Sequence, residues 1–204
     1  MATRMILIRH GDTGLPWGTM VGSTDSPLAE GALEKARELG ERLKAEGIRA
    51  LYSSKLQRAW KTAESIGGLL GLETERLSEL NEVDFGEWEE RFVGDVQKES
   101  PDRIGGFWKD MWNFRFPEGE SFSDVRERAL PVVEGLFDNH KEETFAVVAH
   151  GDVNAIIESS FTGREIKDII EEGYPFLCAL FFKKHDGKIV LEKTWGAEKQ
   201  KAHE

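Results

Sequence analysis

Two histidines stand in matching settings near opposite ends of this sequence. His10 closes the stretch RMILIRH, in which Met5, Ile6, Leu7 and Ile8 run directly into Arg9, His10 and Gly11. His150 closes TFAVVAH, in which Phe145 to Ala149 run into His150 and Gly151. A short apolar run with β-branched members reads as a buried strand, so each imidazole stands at the carboxyl end of a strand. In open parallel α/β sheets the loops diverge at that edge and leave the crevice where ligands bind. Many strands end in a polar residue and a glycine, so one such site carries little weight. Two sites among only five histidines carry more. Two chemistries suit them. Imidazoles beside Arg9 offer a nucleophile and positive charge to an anionic group. Alternatively, the twin units His10-Gly11-Asp12 and His150-Gly151-Asp152 supply the imidazole and carboxylate ligands of a metal pair.

The elements between these two points repeat strand and helix. Residues 11 to 28 hold Gly14, Pro16, Gly18, Gly22 and Pro27, a density of turn residues that denies them regular structure. A loop of this length in a compact domain is usually functional. Leu33, Ala36, Leu39 and Leu43 then recur at helical spacing, and Gly47 closes that helix. Ala50, Leu51 and Tyr52 form a short strand. Ser54-Lys55-Leu56-Gln57 has the form of a capping box, opening a helix whose buried stripe is Leu56, Ala59, Ala63, Ile66 and Leu70. That register puts Arg58 in the helix's first turn, where exposed N–H groups and the dipole already favour an anion. A guanidinium adds a planar fork of donors matched to phosphate oxygens. On its own, Arg58 reads as a solvated helix residue.

Farther on, LSELNEVDFGEW carries Glu79, Glu82 and Asp84, which composition does not rank. Aromatic residues crowd between Trp88 and Phe116, with Pro101 and Gly105-Gly106 as breaks, so short helices form a cap over the sheet edge or simply pack on the core. A helix with Phe122, Val125, Ala129, Val132 and Leu136 on one face follows, which Pro131 should kink or restart. After His150 come a helix to about Phe161, a helical piece over Glu165 to Ile170, and strands at Phe176 to Lys183 and Ile189 to Trp195. The strands join at Asp186-Gly187, a hairpin signal. The closing AEKQKAHE reads as a frayed polar tail. The alternation predicts a three-layer α/β/α sandwich with a mostly parallel sheet. One domain spans 1–204, with a small helical cap inserted at about 87–120.

Composition narrows the function. With 39% hydrophobic and 32% charged residues in 204, the chain has the makeup of a globular domain. A formal charge of -11 argues against nucleic acid or an anionic membrane as partner, since both demand a basic face. Cys178 is the single cysteine and lies in the apolar run FLCALFF, so it reads as a core thiol. With no leader-like opening and no apolar run of spanning length, the expected location is cytoplasmic.

Taken together, the motifs resemble those of the histidine phosphatase superfamily, the phosphoglycerate-mutase-like family, and the likeness covers nearly the whole chain. LIRHGDT, YSSKLQRAWKTA, ELNEVDFGEW, PEGES and VVAHG match the family's segments in order and spacing. The resemblance implies His10 as nucleophile, Arg9, Arg58 and His150 as phosphate ligands, and Glu82, four residues before Gly86, as proton donor. The family often has glutamate at Asp12, asparagine at Pro16, glycine at Asp152 and WEG in place of WEE. Those residue types answer what a phosphomonoester demands. Its charge must be neutralised, its phosphorus aligned with a nucleophile, and its leaving oxygen protonated.

The expectation is therefore a phosphomonoesterase that acts on a small phosphorylated metabolite through a phosphohistidine on His10. It needs no cofactor and no metal. Size and the PEGES turn resemble the α-ribazole phosphatases, so a ribazole or sugar phosphate is the expected kind of substrate. Three alternatives stand beside it: a phosphoglycerate-type mutase, a metal-dependent hydrolase built on the two HGD units, and a catalytically silent phospho-ligand binding module. The metal reading leaves Arg9 and Arg58 without a role.

Overall fold

The computed structural model describes residues 2–196, so the polar tail lies outside the described residues. The chain begins with β1 (Thr3–Arg9), β2 (Thr19–Met20), α1 (Ala32–Leu43), β3 (Ile48–Ser53) and α2 (Gln57–Leu70). It continues through β4 (Thr74–Arg76), β5 (Arg91–Phe92), α3 (Val93–Glu99) and α4 (Pro101–Lys109). Then come α5 (Phe122–Asn139), β6 (Thr144–Ala149), α6 (Gly151–Thr162), α7 (Ile166–Glu172), β7 (Ala179–His185) and β8 (Lys188–Trp195). Six strands make one sheet in the order β4-β3-β6-β1-β7-β8. The pairs β3/β4, β3/β6 and β1/β6 are parallel, while β7 and β8 join antiparallel.

Strand alternation divides the core between the two faces. Met5, Leu7, Phe145, Val147, Leu180 and Phe182 join one apolar cluster with α5, α6 and the aromatic residues of the cap region. Ile6, Ile8, Ala146, Val148 and Phe181 join a second with Leu39 and Leu43 of α1 and Ala59, Ala63 and Ile66 of α2. The fold is thus the α/β sandwich expected, with helices covering both faces of a mostly parallel sheet. The central strands are apolar on both faces for that reason.

Several local expectations shift. Leu33 lies on the outer side of α1 and is 44% exposed, and Ala32 takes the buried place. In α5 the buried position is Val133, not Val132. Pro131 does not restart that helix, which runs on over 18 residues. At an exposed position the proline withdraws one backbone bond without a core clash. Gly105-Gly106 lie inside α4, whose true start signal is Pro101 at the first helical position. Strand β4 has no apolar pattern to announce it, because Thr74-Glu75-Arg76 forms an exposed sheet edge.

Candidate active site

The parallel pairing of β1 and β6 brings the two histidines together. Arg9 is in register with Ala149, and the His10 N–H donates to the Ala149 carbonyl at 3.0 Å. The rings consequently lie 5.1 Å apart, centre to centre, in an edge arrangement. Strand β3 ends beside them, since the Ser54 N–H donates to the Val148 carbonyl. Ser54 therefore does not cap α2. Its hydroxyl lies 2.7 Å from His150 Nε2. The cap of α2 comes instead from the long loop, where Asp25 Oδ1 accepts from the Gln57 N–H at 2.5 Å.

The hydrogen bonds sort the two rings into different roles. His10 Nδ1 lies 2.7 Å from the Gly11 carbonyl. A carbonyl only accepts, so that nitrogen carries the proton and Nε2 keeps its lone pair. Burial drives the His10 pKa well below its usual value, and the charges of Arg9 and Arg58 add to the effect, so the ring is neutral near pH 7. In His150 the Ser54 hydroxyl accepts from the Leu56 N–H at 3.3 Å and is free to donate to Nε2. We assign the imidazole proton to Nδ1, which is buried and takes no partner from the described residues. His150 is likewise held neutral, by burial first and then by Arg58, His10 and Arg9.

Two guanidiniums flank the pair. Arg9 donates through Nη1 to the Tyr174 carbonyl and stacks 4.3 Å over the Phe176 ring. Arg58 is 1% exposed, the reverse of a solvated helix residue. Its Nη1 and Nη2 donate to the carbonyls of Thr24 and Gly22 at 2.7 and 2.6 Å, which folds the long loop around it. In both arginines Nε is buried without a partner among the described residues. Burial lowers both guanidinium pKa values, and the Glu82 carboxylate opposes that shift.

Of the three acidic candidates, only Glu82 lines the cavity. Its carboxylate accepts backbone N–H bonds from Val83 and Val153 at Oε1 and from Asp152 at Oε2, 3.1 to 3.2 Å long. The last two come from the first turn of α6, where the dipole favours negative charge. Asp84 turns back on the Gly86 N–H, and Glu79 contributes its carbonyl to Arg128.

Two residues that the sequence reading passed over hold this acid loop in place. Arg128 of α5 donates to the Glu79 and Glu82 carbonyls and forks onto the Glu120 carboxylate. Glu89, the first glutamate after Trp88, accepts from Ser23 and Thr24 and so ties the loop bearing Arg58's acceptors to the acid loop. Neither carries a local sequence signal, because each acts on a partner distant in sequence.

The cavity above these groups has a volume of about 390 Å3. Its apolar lining includes Trp17, Trp88, Phe107, Phe116, Ile169 and Phe176. These aromatic residues both line the cavity and pack in the core: Phe107 and Phe116 are buried, and their rings lie 5.4 Å apart. Arg9 and Arg58 are the cationic side chains among the lining residues. Among the described residues no group of three or more His, Cys, Asp or Glu is placed to hold a metal ion, and Asp12 turns to the Gly14 N–H. Cys178 is buried, with its thiol pushed up to about 11 by burial, as a core position requires. Among the described residues no helix is long and apolar enough to cross a membrane.

Comparison with known proteins places the chain among phosphatases and mutases of one family. A phosphoglycerate mutase of Schizosaccharomyces pombe is 32% identical over 93% of this chain and 94% of its own length. The YhfR protein of Bacillus stearothermophilus superposes with a TM-score of 0.83 at 30% identity, covering 94% of this chain and 96% of that one. The α-ribazole phosphatase of Shigella flexneri shares the fold with a TM-score of 0.79 at 23% identity, over 93% and 94% of the two chains. This chain spans only 33% of the length of the chicken 6-phosphofructo-2-kinase/fructose-2,6-bisphosphatase that it also matches. The model of the histidine phosphatase superfamily (branch 1) matches residues 5–193, and the chain belongs to that family.

Proposed function

We propose that this protein hydrolyses small phosphomonoesters by way of a phosphohistidine on His10. One observation carries the reading. Three buried donors, Arg9 Nε, Arg58 Nε and His150 Nδ1, take no bond from the described residues and belong to the side chains that surround a neutral imidazole with a free Nε2. Unpaired buried donors are costly, and a phosphoryl group supplies acceptors for all of them.

In this mechanism Nε2 attacks phosphorus in line, and the two guanidiniums offset charge on the phosphoryl oxygens. His150 donates from Nδ1. Glu82, on the cavity wall, protonates the leaving oxygen and later takes a proton from the attacking water. The apolar walls favour a phosphate ester whose remainder is bulky and uncharged.

The test is direct. His10→Ala should retain the fold by circular dichroism and lose at least about 10³-fold in turnover of 4-nitrophenyl phosphate, since removing a covalent nucleophile leaves only binding and charge stabilisation. Wild type quenched during turnover should carry a phosphoryl group that acid removes and base does not. Wild-type-like turnover in folded His10→Ala would refute the assignment.

A further inference from the structure

The second HGD unit brings a carboxyl group to the site that the reaction as drawn leaves idle. Asp152 lies in the first turn of α6 and lines the same cavity as Glu82. Its own N–H donates to Glu82 Oε2 at 3.2 Å, so the two residues meet at one wall. The backbone treats the two carboxyl groups unequally. Three N–H groups point at Glu82, whereas no hydrogen bond from the described residues reaches the Asp152 side chain.

The charged groups that act on Asp152 come from two elements: Glu82 from the acid loop and Arg9 from the end of β1. Burial comes first and the Glu82 charge second in raising the Asp152 pKa well above the usual carboxylate range, with Arg9 acting against them. Charge on Glu82 opposes charge on Asp152, and of the two side chains only Glu82 is met by backbone N–H groups that favour it as an anion.

We propose that Asp152 is a second catalytic carboxyl, paired with Glu82 as one acid that shares a single proton. The proposal rests on the His10 reading above. As the N–P bond to His10 forms and the P–O bond breaks, the leaving oxygen takes the pair's proton, leaving both carboxylates charged. Water then returns a proton to the pair while its oxygen attacks phosphorus. The N–P bond breaks, its electrons return to Nε2, and inorganic phosphate departs. The pair resets with one proton.

The experiment measures kcat/KM against pH for a simple alkyl phosphate and for 4-nitrophenyl phosphate, with phosphoenzyme trapping alongside. An alkoxide leaving group needs the proton and nitrophenolate scarcely does. Wild type should lose alkyl phosphate turnover on an alkaline limb that lies well above the ordinary carboxylate range. Asp152→Asn should lose at least about tenfold more on the alkyl ester than on the aryl ester and should no longer show that limb, and Asp152→Glu should restore both. Glu82→Gln, which removes the neighbouring charge, should move the limb to lower pH by about one unit or more. A folded Asp152→Asn with equal losses on both esters and an unmoved limb would overturn the proposal. If Asp152→Asn does not fold, an unmoved limb in Glu82→Gln would overturn it equally. Absence of any trapped phosphoenzyme in wild type defeats the His10 reading instead, so the two failures remain distinct.

Discussion

At the scale of single residues, the site depends on two imidazoles held uncharged inside the protein. His10 is 5% exposed and His150 0%, and both pKa values are driven well below the usual 6.5 by burial and by the nearby guanidiniums. In the unfolded chain both would titrate near 6.5. Below that pH the unfolded state binds protons that the folded state refuses, so stability falls as pH drops from about 6.5 toward the folded values. The slope approaches about 1.4 kcal/mol per pH unit for each histidine. Urea unfolding at pH 7.5 and 5.5 should show this loss, and His150→Gln should reduce it. An identical pH slope in that variant would contradict the buried neutral pair. At this scale His10, His150 and Arg9 were legible because strand-end patterns announce them. Arg58 was visible as a residue but not as a buried one, because its burial comes from the carbonyls of Gly22 and Thr24 folding over it. Asp152 stood out as a member of the second HGD unit and as a departure from a family pattern, neither of which marks it as a partner of Glu82.

At the scale of elements, the acid loop is held by backbone contact and by one arginine. Gly86 has φ of 55°, and a Cβ there would lie 2.0 Å from the Pro117 carbonyl oxygen; at Gly119 it would lie 2.3 Å from that of Asp84. The acid loop and the PEGES turn therefore approach closer than any side chain permits. The Glu120 N–H donates to the Asp84 carbonyl and the Glu87 N–H to that of Pro117, which locks them together. Arg128 completes the clamp with four donor contacts to Glu79, Glu82 and Glu120. Arg128→Leu keeps much of the side-chain volume and removes those donors. It should cost on the order of 2 kcal/mol in unfolding free energy, as loss of charged hydrogen bonds does. Because it acts through Glu82, kcat for an alkyl phosphate should fall more than kcat for 4-nitrophenyl phosphate, while KM changes little for either. An equal fall on both would reduce Arg128 to a structural role. Helices and central strands were legible at this scale from their periodicity. The clamp was not, nor was the capping of α2 by Asp25, because both join segments separated by tens of residues.

At the scale of the whole molecule, the distribution of charge separates a hydrolase from a mutase. The chain carries a formal charge of -11. Among the described residues the cationic side chains that line the cavity are Arg9 and Arg58. A mutase must keep its phosphohistidine until a second acceptor binds, which calls for further basic groups to hold a doubly anionic substrate and for a dry, closed site. The cap region is where such groups would stand. From 87 to 120 it carries Arg91, Lys98, Arg103, Lys109 and Arg115 against Glu87, Glu89, Glu90, Asp95, Glu99, Asp102, Asp110, Glu118 and Glu120. Arg91 pairs with Glu99, Lys98 with Asp95, Arg103 with Glu87 and Arg115 with Asp124, all outside the cavity lining. The lining they leave is mainly aromatic and aliphatic, with Thr13, Thr19 and Tyr174 as its neutral hydroxyl side chains, which offers a carboxylate or a second phosphate no counter-charge beyond Arg9 and Arg58. Under the proposed mechanism a phosphohistidine could pass its phosphoryl group to water or to a second hydroxyl, and the charge on the cavity lining bears on which acceptor is held. With 3-phosphoglycerate and a trace of 2,3-bisphosphoglycerate, the protein should form 2-phosphoglycerate at least about tenfold more slowly than it releases phosphate from an aryl monoester, the discrimination expected when a charged group must enter without a counter-charge. Rapid formation of 2-phosphoglycerate would show that the walls supply a second anion site after all, and that water is not the normal acceptor.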